Sequence, residues 1–220
     1  QPVHTPEERD LGVGLIDLGG GTTSLLVIQG GAIRHSAVLP VGAGHVTSDL
    51  AAALRTPFAE AEILKQRHGC AVAREAKADD MVEVAGLGGR APRRLSRRAL
   101  SDVVEPRAHE MLVLVKREME RALADRALAS GIVLTGGGAV LDQMVGLAER
   151  VFRTPVRLGT PLHLNGLVDA VASPMYSTSV GLVLHGLRQH GGSRARHTAG
   201  VLGQLRVMRE RMSGWLKEFF

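Results

Sequence analysis

Two glycine-rich turns, LIDLGGGTT (Leu15–Thr23) and GIVLTGGGA (Gly131–Ala139), constrain this chain more than any other feature. Each follows a short, strongly apolar run that reads as a buried strand. Each sets a row of unhindered backbone N–H groups where that strand ends. Two such turns, with helical sequence between them, predict an α/β fold carrying the two jaws of a nucleotide cleft. The first turn is not a P-loop, because no Gly-Lys-Ser/Thr follows it. It is not a dinucleotide-binding fingerprint either, because it leads into a strand and not a helix.

A phosphate needs backbone donors at close range, and side chains obstruct that approach. Gly19, Gly20 and Gly21 permit it, and Thr22 and Thr23 add hydroxyl donors. Asp17, at the strand end, is suited to a magnesium ion held through water, since magnesium sheds its waters reluctantly. In the second turn, Gly136, Gly137, Gly138 and Ala139 would let a base or ribose lie against the backbone. Glu62 and Lys65, three apart on a helix, share one face. They form a candidate nucleotide contact, or an ordinary surface ion pair.

The flanking elements follow from local pattern. Residues 1–10 are polar with two prolines and read as a linker. Strands are expected over Leu11–Leu18, Ser24–Gln29 and Ala32–Leu39, the last two joined at Gly30-Gly31. Helices are expected over His45–Leu54 and over Pro57–Arg67, the latter capped by Thr56. Met81–Val84 reads as a strand and Gly86–Arg94 as a basic turn. A helix capped by Ser96 should run to Val104, then kink or restart at Pro106 and continue to about Leu128. Gly131–Thr135 and Pro155–Leu158 read as strands, Leu141–Val151 and Ser177–Arg188 as helices. Gln189–Gly200 reads as a flexible linker.

Among the 220 residues, 45% are hydrophobic but only 3% aromatic, so Ala, Val and Leu must fill the core. One cysteine, Cys70, excludes an internal disulfide framework and a cysteine-based zinc site. It reads as a small buried residue. No apolar run approaches the roughly 20 residues of a membrane span. The formal charge is +5, with arginine outnumbering lysine 23 to 4. A GC-rich genome explains that bias, and an anionic partner is the sharper alternative. Arg90, Arg93, Arg94, Arg97 and Arg98 form the best nucleic-acid candidate. They lack interleaved aromatics for stacking, so no nucleic-acid partner is expected. The chain opens on Gln1 and so reads as a fragment or processed chain, with a C-terminus that looks purposeful.

That end, Val201–Phe220, is amphipathic. At about 100° per residue, Leu202, Leu205, Met208, Met212, Trp215, Leu216, Phe219 and Phe220 fall in one arc of roughly 140°. Arg206, Glu210 and Lys217 flank the arc. Its four basic and two acidic residues forbid spanning. Trp215, Phe219 and Phe220 beside Lys217 suit the headgroup boundary of an anionic membrane, and the glycine-rich segment before them supplies slack. The competing expectation is a helix docked on its own core.

These motifs carry a family resemblance. Asp17–Thr22 (DLGGGT) resembles the second phosphate loop of the actin and heat-shock-chaperone ATPase superfamily. Thr135–Ala139 (TGGGA) resembles its adenosine loop, and Glu62-x-x-Lys65 its nucleotide-contacting helix. VTSDLAAALRTP (Val46–Pro57), AEILKQRHGCA (Ala61–Ala71), EPR (Glu105–Arg107), YSTSVGL (Tyr176–Leu182) and WLKEFF (Trp215–Phe220) are similar to the bacterial division family FtsA. The resemblance covers nearly the whole chain.

It implies an actin-like ATPase domain of ribonuclease H-like fold, with an inserted α/β subdomain and a C-terminal amphipathic helix. Subdomain 2A would comprise residues 11–53 and 129–188, subdomain 2B residues 54–128, a linker 189–200 and a membrane-targeting helix 201–220. The half of the ATP site that holds the first phosphate loop lies outside this sequence. The family implies ATP and magnesium as cofactors, and filaments of the protein itself on the inner face of the cell membrane at the septum. It also implies docking of the FtsZ C-terminal tail near Arg107 and Glu110, and contact with other division proteins. Hydrolysis would be weak or absent, with Ser24 where many members carry an acid. The alternative is a sugar-kinase-like phosphotransferase or true ATPase.

Overall fold

The computed structural model describes residues 3–123, 128–162 and 171–189. The chain divides into two compact units, Gln1–Thr178 and Ser179–Phe220. The described residues of the second unit, 179–189, are helical. The expected linker 189–200 and amphipathic helix 201–220 lie outside the described residues, apart from Gln189 itself.

The first unit is built on a five-stranded sheet. Strands β1 (Val13–Leu18), β2 (Thr23–Gln29) and β3 (Ala32–Leu39) form an antiparallel meander. Strand β6 (Ile132–Thr135) joins β1 in parallel, and β7 (Val156–Leu158) extends the sheet, giving the order β3-β2-β1-β6-β7. Every residue of β6 is buried. That burial explains why its sequence is uniformly apolar up to Thr135, whereas half-buried strands alternate.

Between β3 and β6 the chain forms α2 (Ala43–Leu54), α3 (Phe58–His68), a small sheet of β4 (Met81–Val84) and β5 (Arg93–Ser96), and the 27-residue α4 (Arg97–Leu123). Helix α4 buries Leu100, Val104, Ala108, Met111, Leu112, Val115 and Met119, a stripe at three- and four-residue spacing. After β6 come a 3₁₀ turn (Gly137–Val140) and α5 (Met144–Phe152). One core cluster joins one face of the sheet to these helices, and a smaller one (Val3, Val13, Ile28, Val133) covers the other face.

Several local expectations are corrected. Residues 1–10 are not all linker: Pro6–Leu11 is a helix, α1, closed by a capping box. Thr5 Oγ1 accepts from the Glu8 N–H, and the Glu8 carboxylate accepts from the Thr5 N–H. The first strand therefore starts at Val13 and not Leu11. The basic stretch Gly86–Arg94 ends inside β5, whose Arg-rich sequence hides a strand. Thr56 does not cap α3. Pro57 holds that position, and the buried Thr56 hydroxyl has no partner. Helix α4 runs through Pro106 without a break, because Asp102 and Pro106 lie on its exposed face, where water can satisfy the carbonyl that proline leaves free. Ser96 does cap α4, accepting from the Ala99 N–H.

Candidate functional site

Strands β1 and β6 are parallel neighbours with Asp17 opposite Thr135. Both glycine turns therefore leave the sheet at the same edge, where open α/β sheets hold ligands. The first turn closes on itself, with the Gly19 N–H donating to the Thr22 carbonyl at 3.0 Å. The start of α2 reaches the same place. The Ala43 N–H donates to the Gly19 carbonyl at 2.9 Å and the Gly44 N–H to the Gly20 carbonyl at 2.7 Å.

The glycines fall into two sets. A Cβ on Gly42 would lie 2.5 Å from the Gly20 oxygen, and one on Gly138 would lie 2.9 Å from Leu18 Cβ. Gly136, at φ +85, would collide with Asp17 and the Leu18 carbonyl. These glycines let three backbone segments pack against one another. Gly20, Gly21 and Gly137 are different: no heavy atom lies within 4 Å of a Cβ placed on any of them. They are the positions where the rim is open to a ligand. Thr22 is exposed beside them, whereas Ala139 is buried and supports the second turn from below.

Thr23 is fully buried and its hydroxyl donates to the Val41 carbonyl at 2.7 Å. It therefore cannot donate to a phosphate, contrary to expectation. Asp17 is half-buried at the rim, and its Oδ2 accepts from Thr178 Oγ1 at 2.5 Å. Ser177 and Pro174 tie the same segment to the second turn: Thr135 Oγ1 donates to Ser177 Oγ, and the Gly136 N–H donates to the Pro174 carbonyl. Thr178 thus bridges the two turns, a role that needs a partner 161 residues away and has no local sequence signal.

Glu62 and Lys65 do reach this edge, but not as free groups. The buried Lys65 ammonium donates to the Ala43 carbonyl (3.0 Å), Thr47 Oγ1 (2.8 Å) and Glu62 Oε2 (2.8 Å). All three of its N–H donors are thereby engaged. Burial pushes the Glu62 carboxyl up, but hydrogen bonds from Lys65, Thr47 and Gln66 outweigh it and hold the carboxyl below its ordinary range. The pair fastens α3 to the start of α2.

Arg107 and Glu110 are together on α4. Arg107 donates Nε to Asp49 Oδ2 at 2.6 Å and Nη2 to Asp49 Oδ1 at 3.1 Å, a bidentate link to α2, and pairs with Glu110 at 2.6 Å. The three line a shallow groove of about 440 Å³ floored by Ala52, Ala53, Val103 and Pro106. In the arginine cluster, Arg93 donates to the Leu54 carbonyl, and Arg97 to the His68 carbonyl and Asp142. Cys70 is fully buried. Met208, Met212, Trp215, Leu216, Lys217, Phe219 and Phe220 lie outside the described residues. No helix among the described residues is long and apolar enough to cross a membrane.

Residues 14–181 match the family model for the cell division protein FtsA. The chain is 46% identical to the cell division protein FtsA of Pseudomonas aeruginosa over 90% of its own length and 48% of that protein. It is 43% identical to the cell division protein FtsA of Escherichia coli K12 over 99% of its length and 54% of that protein. It thus spans about half the length of the curated relatives it matches. Among solved structures, MreB5 of Spiroplasma citri bound to ADP superposes with a TM-score of 0.61 at 20% identity, covering 82% of this chain and 54% of the other. That likeness shows the actin-like fold.

Proposed function

The chain belongs to the FtsA family of cell division proteins, and from that premise we propose that it forms one wall of an ATP site and couples nucleotide to attachment at the membrane. The observation that carries the reading is the convergence of three backbone segments at one sheet edge, leaving Gly20, Gly21 and Gly137 open. Phosphates would meet the amides of Gly20, Gly21 and Thr22, and adenosine would lie against Gly137. Asp17 is a half-buried carboxylate at the rim, beside the open glycine turn, which suits magnesium bound through water and phosphate. Magnesium would supply charge neutralisation at the phosphates, while Thr178 fixes the carboxylate.

In this reading residues 11–53 and 129–188 form subdomain 2A and residues 54–128 subdomain 2B. The α2–α4 groove at Arg107 and Glu110 receives the FtsZ C-terminal tail. Residues 201–220 lie in the anionic inner leaflet at the septum, where the protein polymerises and meets other division proteins. MreB5 of Spiroplasma citri, solved with ADP bound, supports the nucleotide assignment by likeness of fold alone.

Magnesium ATP titrated into the full protein tests the cleft. Gly21→Val should weaken binding by about tenfold or more, since one blocked charge-assisted hydrogen bond has that size, and Gly137→Val should weaken it by crowding the adenosine. Unchanged affinity in both sinks the assignment. For the membrane arm, liposome flotation with and without residues 201–220 decides, and equal flotation of both proteins refutes the tether.

A further inference from the structure

We propose that the hollow between the end of α2 and the β4–β5 turn, walled by Arg55, Arg90 and Arg93, binds a phosphate-class oxyanion at a site separate from the glycine-loop cleft. The hollow has a volume of about 330 Å³, and its remaining lining is Ala53, Leu54, Gly86 and Ala91. No carboxylate lines it. A second hollow beside it shares Arg55 and Arg90, adds Leu87 and Gly88, and is equally free of acid. None of Arg55, Arg90 and Arg93 is in an ion pair among the described residues, so no acid already neutralises the hollow.

The backbone is arranged to bring these three residues to one hollow. Arg55 sits at the C-cap of α2 with φ 47 and ψ 52, a left-handed conformation that glycine ordinarily fills. Gly86 comes so close to Arg90 that a Cβ would lie 2.5 Å from its carbonyl oxygen, which folds the turn back over α2. Gly88 and Gly89 complete that turn at φ +67 and +77. Arg93 is oriented by its bond to the Leu54 carbonyl at 2.7 Å.

Three of the last four carbonyls of α2 are already bonded, which lessens the negative charge that the helix end turns to the hollow. The Arg55 and Thr56 N–H groups donate to the carbonyls of Ala52 and Ala51, and Arg93 covers that of Leu54. A carboxylate would leave three cations undercompensated. A phosphate monoester or pyrophosphate matches both their charge and their forked donors.

The test is titration of pyrophosphate into the full protein, wild type, Arg55→Gly and Arg90→Gln, with the glycine-loop cleft saturated with magnesium ADP. Saturable binding should weaken about tenfold in each variant. Arg55→Gly separates binding from folding, because glycine accepts φ 47 without strain, so this variant should melt higher while binding less. Equal affinity in all three proteins overturns the site, and so does a wild type that shows no saturable binding. Phosphatidylglycerol vesicles that compete with pyrophosphate, where phosphatidylcholine vesicles do not, support the site and assign it to a lipid headgroup. Affinity untouched by either vesicle supports it as a site for a soluble phosphate.

Discussion

Adjacent glycines in the second turn should respond oppositely to the same substitution. In Gly138→Ala the new methyl would lie 2.9 Å from Leu18 Cβ, 3.0 Å from the Leu18 oxygen and 3.3 Å from Ala43 Cβ. Carbon atoms normally rest about 3.5–4.0 Å apart, so the overlap with Leu18 is roughly 0.6–1 Å. Leu18 cannot retreat easily, because β1 is held between β2 and β6. Overpacking of this kind costs about 1–3 kcal/mol. The smaller conformational freedom of alanine in the unfolded chain returns roughly 0.4–1 kcal/mol. Gly138→Ala should therefore destabilise by about 1–2 kcal/mol, a fall of roughly 2–8 °C in Tm for a chain of this size. Gly137→Ala meets no atom within 4 Å and should keep only the favourable term. Urea denaturation followed by circular dichroism measures the difference, expected at about 2 kcal/mol between the two variants. Agreement within about 0.5 kcal/mol would mean that the two glycines do not divide into packing and ligand-facing sets, and the argument for the cleft would fall with it.

Three further perturbations probe other parts of the site. Thr178→Val removes the donor to Asp17, so nucleotide affinity should drop several-fold with magnesium and stay level in EDTA; an equal drop in both conditions refutes the positioning role. Lys65→Met takes the cation from an ionised Glu62 and one of the donors from the Ala43 carbonyl, which keeps Thr47, and should cost about 1–3 kcal/mol in denaturant titrations, the carboxylate's partial exposure lowering the full buried-pair figure; a loss under about 0.5 kcal/mol contradicts the fastening role. Hydrogen bonds from Arg157 hold the Glu8 carboxyl below its ordinary range against the opposing effect of burial. The native state then binds fewer protons than the unfolded chain near pH 4, so this stabilisation is present above the unfolded pKa of about 4.3 and is lost as pH falls through the lower folded value. Glu8→Gln should cost about 1 kcal/mol at pH 7 and clearly less at pH 2.5, and a variant that loses equal stability at both fails the test.

What could be read from the sequence was what depends on neighbours. The three strands of the meander, the buried β6 and both glycine turns rest on local apolar runs and local backbone freedom, and all formed where expected to within two residues or so. Ser96 capped its helix for the same reason. Most of the failures turn on contacts made away from the local sequence. Strand β5 is legible only through its pairing with β4, which supplies the ladder that RRLS does not advertise. The six-residue helix α1 has a local capping box, Thr5 to Glu8, but is anchored by Arg157, 149 positions from Glu8. Thr23 looked like a phosphate donor because it is polar and follows the glycines. Strand alternation after the turn instead directs it inward, to Val41. Lys65, too, was legible as a face partner of Glu62, but its third and decisive acceptor, the Ala43 carbonyl, lies 22 residues away.

Helix α2 is where these long-range contacts meet. At its first turn Ala43 and Gly44 hold the carbonyls of Gly19 and Gly20, while Lys65 holds the carbonyl of Ala43 itself. Two turns on, Asp49 takes both forks of Arg107 and flanks the α2–α4 groove. At its last residue, Leu54 accepts from Arg93 beside the arginine hollow. Twelve residues of helix are about 18 Å long and bend little over that length. A shift in the first glycine turn therefore cannot be absorbed within α2, since its N-terminal amides are bonded to the moving carbonyls. It must appear at Asp49 as a displacement against Arg107, or else break the Lys65 bonds that tie α2 to α3. The two clusters that stand 58 residues apart in sequence, Asp49 and Arg107, are joined by one ion pair. Under the proposed function, that pair gives a nucleotide-driven shift one rigid route from the cleft to the groove, through α2.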